Sequence, residues 1–159
     1  MKNNKINPFN NVVETGLRML CILNESYPKQ FDLQELTYFD YLIVHSGDFD
    51  KKVESLHPPV PHRSGELYVR HSIIQNGLEL FIGKNLIEKS FSENGIEYRA
   101  CENSLTFLET LEEKYLIELV ERAKWLTQTF SHYNSIELKN FIQDYLRKTN
   151  NKFNIEISQ

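Results

Sequence analysis

Uninterrupted hydrophobic runs, cysteine pairs and a surplus of positive charge are what this sequence has least of. Its longest apolar stretches are broken by charges well short of the roughly 20 residues that a membrane-spanning helix needs. The N-terminal MKNNKINPFNNVV carries no apolar core of a secretion signal, so a cytoplasmic chain with no membrane partner is expected. Cys21 and Cys101 stand far apart, without the CxxC or Cys/His spacing of a zinc site, and are expected as reduced thiols. Lys and Arg number 18 against 22 Asp and Glu, a net charge of -4. Affinity for duplex nucleic acid rests on phosphate neutralisation, so a main task of gripping DNA is not the first expectation. A GxSxG elbow, an HExxH, a phosphate loop and a dinucleotide glycine fingerprint are also missing. No enzymatic activity and no cofactor are expected.

What is present is enough apolar material for one core, 40% of 159 residues with 12% aromatic. In VVETGLRMLCILNES, Val13, Leu17 and Leu20 fall at helical spacing behind an Asn10 or Asn11 cap. Gly16 in its middle costs about 1 kcal/mol relative to alanine, which predicts a close helix contact there. FDLQELTYFDYLIVHSGDF opens with Asp32 and Glu35 as a capping box and Phe31 as a staple, and Ser46-Gly47-Asp48 is expected to break it. A loop of about fifteen residues follows, long enough within a compact domain to point to function or mobility.

A third helix is expected over residues 65–83 with Ser64 as its cap. Residues 86–89 and 96–99 then read as a hairpin around Ser92-Glu93-Asn94-Gly95. Residues 104–130 are strongly helical, with a break expected between Thr110 and Lys114. A further helix over 135–148 and a short FNIEI strand complete the chain. The order predicts a mainly α (α+β) fold: a winged-helix-like domain with a β-hairpin wing over residues 1–130, then a C-terminal helical extension over 131–159.

The stretch SLHPPVPHRSGELYVR concentrates chemistry-bearing residues. His57 and His62 would need further metal ligands, for which His45, Asp48 and His71 are the nearby candidates. Proline geometry between them is extended and spreads the two imidazoles, so neither metal binding nor catalysis is expected. The third helix offers Arg63, Arg70 and Lys84 against Glu66 and Glu79, while the wing offers Lys89 and Arg99 against Glu88, Glu93 and Glu97. So neutral a pair of elements fits protein docking better than groove reading. The expected partner-binding residues are His57, His62, Arg63, Glu66, Tyr68, Arg70, Tyr98 and Arg99. The competing reading is a winged-helix DNA-binding transcription regulator.

Three runs, HSGDF at 45–49, SLHPPVPHRSGEL at 55–67 followed by Val69-Arg70, and GIEYRA at 95–100, stand in an order that resembles the middle component of bacterial ABC three-component systems. These overlap the Lamassu-type anti-phage and anti-plasmid systems. The resemblance covers about residues 8 to 130 and leaves the last thirty as particular to this chain. It implies a small non-enzymatic subunit between an SMC/Rad50-like ABC ATPase and an effector, often a nuclease. The ATPase would sense foreign DNA, and this subunit would meet DNA only indirectly or weakly.

Overall fold

A computed structural model describes residues 11–57 and 63–157. Among them are seven helices and two strands: α1 (Val12–Glu25), α2 (Leu33–Val44), α3 (Ser46–Phe49), α4 (Arg63–Gly83), β1 (Ile87–Ser92), β2 (Gly95–Ala100), α5 (Ser104–Glu109), α6 (Lys114–Phe130) and α7 (Ser135–Ile157). The winged-helix order expected from the sequence is observed. No helix among the described residues is long and apolar enough to cross a membrane.

Local chemistry sets the element ends. Asn11 Oδ1 accepts the Glu14 backbone N–H at 2.8 Å and starts α1. Asp32 and Glu35 form a reciprocal capping box at 2.8 and 2.9 Å, which starts α2. At the end of α4, Asn85 takes a left-handed φ of 59°, the N–H of Leu86 reaches Phe81 O and that of Asn85 reaches Ile82 O. That is a Schellman closure in which asparagine fills the position usually given to glycine. It turns the chain straight into β1.

The hairpin pairs Ile87 with Ala100 through Ser92 with Gly95. Gly95 has φ 101°, whereas Glu93 and Asn94 keep negative φ, so glycine follows the two turn residues rather than occupying the turn itself. A third strand position goes beyond the sequence expectation. Phe31, just before α2, exchanges two backbone hydrogen bonds with Tyr98 at 2.8 and 3.0 Å. The wing is thereby tied to the helical core, and Ser104 Oγ donates to Leu86 O at 2.6 Å to tie α5 to its base.

α1 lies at the centre, packed against α4, α6, α2 and α5. Its approach to α4 is backbone on backbone. A Cβ on Gly77 would sit 2.8 Å from Gly16 N, and one on Gly16 would strike the Phe81 ring. The close contact expected at Gly16 is therefore present, and Gly77 is its counterpart. Alanine favours a helix by about 1 kcal/mol over glycine, but overpacking against an immovable backbone costs about 1–3 kcal/mol. Gly77→Ala should lower unfolding free energy by about 1 kcal/mol or more in urea, while Gly83→Ala, with nothing within 4 Å, should be neutral or stabilising. Equal behaviour of the two variants would contradict the close-contact account.

Three expectations need correction. The segment Ser46-Gly47-Asp48 does not simply break the second helix: His45 caps α2 and one further helical turn, α3, follows. Ser64 is not a cap, because α4 already includes Arg63. FNIEI is not a strand but the last turn and a half of α7, which runs on unbroken from Ser135. The C-terminal helix α7 packs against α2. Leu138 and Ile142 are buried in the common core, and Phe141 and Tyr145 stack around Phe49 at 5.7 and 4.5 Å.

Candidate functional site

The densest polar arrangement lies inside the protein, where α1, α2 and α4 meet. Asp40 on α2 is fully buried, and its Oδ1 accepts Arg18 Nε at 2.7 Å while its Oδ2 accepts Arg70 Nη1 at 2.6 Å. Arg18 is also fully buried and donates through Nη2 to Thr15 Oγ1 at 3.2 Å, one turn back along α1. Burial alone would raise the Asp40 pKa, but the two guanidinium groups outweigh it and hold the carboxyl down at about 2. One carboxylate thus joins three helices as a permanent anion.

His57 closes the cluster from the loop that follows α3. Its backbone N–H donates to Val44 O at 3.1 Å, and its Nε2 lies 3.5 Å from the Tyr115 hydroxyl of α6. Burial, followed by the positive charges of Arg18 and Arg70, pushes its pKa down to about 3, so the ring stays neutral. The same loop is fastened again to α6: Trp125 Nε1 donates to Asp50 Oδ2 at 3.2 Å and Arg122 Nε to Glu54 O at 2.7 Å. A segment that reads as structureless is held in place at several points.

Of the eight expected partner-binding residues, the structure turns three inward. His57, Arg70 and Tyr98 are 6%, 5% and 3% exposed, and Tyr98 belongs to the core beneath the wing rather than to the cluster. Arg99 stands partly exposed on β2 and is paired with Glu88 Oε2 at 2.6 Å, a contact screened by solvent. His62 lies outside the described residues, as do the side chains of Arg63, Glu66 and Tyr68. His57 and Arg70 are the two that come together. Arg18 and Asp40 complete the arrangement, and sequence reasoning passes over both. Their signal is nonetheless present: each is a single charge, of opposite sign, inside an otherwise apolar helical run.

With Arg70 drawn inside, the outer face of α4 from Val69 onward presents Val69, His71, Ser72, Gln75, Asn76 and Glu79. Beyond it, Phe91 near the hairpin tip is 79% exposed. Among the described residues no group of three histidine, cysteine or carboxylate side chains is placed to hold a metal ion. Both cysteines are free thiols, and burial pushes that of Cys21 up to about 12.

Comparison with known proteins places this architecture. No curated protein and no solved structure matches the chain. A family model, ABC-three component (ABC-3C) system Middle Component 2, matches residues 8–152. The match runs well past residue 130, so the C-terminal helix is for the most part shared family structure and not an addition of this chain. The chain belongs to the Middle Component 2 family of ABC-three component systems.

Proposed function

We propose that this middle component is a non-catalytic assembly and regulatory subunit, bridging an SMC/Rad50-like ABC ATPase and a nuclease-type effector in a Lamassu-type cytoplasmic defence against phage or plasmid DNA. The family match carries the reading, since a middle component works among the other parts of its system. The protein's own chemistry supports it. Arginines that would otherwise grip phosphate are directed inward, with Arg18 and Arg70 both on Asp40. The described outer face of α4 carries Glu79 and no cation, which suits a protein surface better than a DNA groove.

Co-expression with the neighbouring genes of the system tests the proposal. A stable complex containing this chain and an SMC-like ATPase is expected on size-exclusion chromatography at moderate salt. Elution of this chain alone beside a folded ATPase would sink it. Tight, steeply salt-dependent binding of the isolated chain to its own promoter would instead favour the transcription-regulator reading.

A further inference from the structure

A groove of about 420 Å³ opens between α1, α5 and α6. Its floor and walls are Leu105, Leu108, Leu111, Ile117 and Val120, with the inert Cys21 thiol among them. Leu105 of α5 and Ile117 of α6 both line it and are 52% and 57% exposed. Single exposed aliphatic residues are ordinary, whereas a contiguous apolar groove with a polar rim marks an interaction surface.

The rim says what kind of partner fits. Three carboxylates, Glu25, Glu109 and Glu121, border the groove against one cation, Lys124. An apolar partner with an acidic or neutral flank would leave those charges facing bare solvent or repulsion; one with lysine or arginine beside its apolar residues would meet them. A second copy of this same acidic face is disfavoured for the same reason. Along α6 the groove spans Leu116 to Lys124, about 12 Å at 1.5 Å per residue, which accommodates two to three turns of a helix.

We propose that this groove is the docking site for a basic amphipathic helix carried by another component of the system. The proposal rests on the assembly reading above and specifies its contact chemistry. Leu105 and Ile117 are the apolar anchors, and Glu109 and Glu121 receive the partner's cations.

The test uses the full chain co-expressed with its system. Leu105→Asp with Ile117→Asp should weaken association at least about 30-fold, the scale of losing central anchors. Glu109→Lys with Glu121→Lys should weaken it by about tenfold and remove the salt sensitivity of the wild-type complex. All four side chains are solvent-exposed, so unchanged thermal melting is expected to accompany both losses. Ile136→Asp, on the exposed start of α7, should leave assembly intact. A wild-type chain that joins no component defeats the assembly reading itself. A wild-type complex that both double variants form equally well overturns only the groove. Self-association of the isolated chain that Ile117→Asp abolishes would also overturn it, since the groove would then serve a second copy.

Discussion

Asp40→Ala should lower folding stability by about 3–5 kcal/mol, the loss typical of removing one partner from a buried ion pair. Set against the 5–15 kcal/mol by which a domain is usually stable, that is a large share of the whole. The size follows from what remains. Arg18 is fully buried and Arg70 is 5% exposed, and without the carboxylate two like charges face each other where water cannot screen them. Alanine at position 40 removes two charge-assisted hydrogen bonds, of 2.7 and 2.6 Å, made by separate oxygens of one group, so no rearrangement of a single arginine replaces them. Arg70→Met should cost less, because the Arg18–Asp40 pair remains balanced and methionine retains much of the apolar stem. The triple replacement Arg18→Met, Asp40→Leu, Arg70→Met should recover most of the loss, as apolar groups of similar volume need no desolvation to be repaid. Urea unfolding of the three proteins decides the matter. An Asp40→Ala protein within about 1 kcal/mol of wild type would show that the cluster is not what holds α1, α2 and α4 together.

The way this cluster escapes sequence reasoning separates what local patterns reveal from what they hide. Caps, periods and turn residues act within a few positions. The Asn11 and Asp32 caps, the span of α4 to Gly83, the hairpin and the break between α5 and α6 are accordingly legible. Arg18 and Asp40 lie 22 residues apart, and although each stands alone in an apolar run, nothing local names the partner that would let it point into the core. Arg70 reads as an outward cation for the same reason, since its partner lies 30 residues away. FNIEI alternates apolar and polar residues as a strand would, but no proline or glycine stops the helix before it. Continuing an existing helix avoids nucleating a new element, and α7 runs on to Ile157. The groove is half legible: Leu105, Leu108 and Leu111 stand out as a stripe, but a stripe does not announce that one edge of it stays uncovered.

Between pH 6.5 and 4, wild-type stability should fall by about 3 kcal/mol more than that of His57→Gln. An unfolded histidine takes up a proton as pH drops through about 6.5, whereas His57 in the folded protein resists until about pH 3. Over that window the unfolded state binds more protons, so acid favours it by about 1.4 kcal/mol per pH unit. Above pH 6.5 the ring is neutral in both states and the difference vanishes. Asp40 does not blur the comparison. Its folded pKa is lowered to about 2, so its stabilisation is present above the unfolded value near 3.9 and is lost only as pH falls through the folded one. Glutamine at position 57 keeps a polar group near the Tyr115 hydroxyl but cannot take up the proton. The place of first failure also follows from the geometry. Protonation sets a positive ring beside Arg18 and Arg70, and the hydrogen bonds that weaken first are those tying residues 50–57 to Val44 and to α6. Hydrogen exchange at the His57 amide should therefore accelerate on acidification before the amides of α1 do. Parallel stability profiles for wild type and His57→Gln, or an NMR titration placing the His57 ring near its ordinary pKa, would remove the histidine from the acid response and leave the loop's fastening to Trp125 and Arg122 alone.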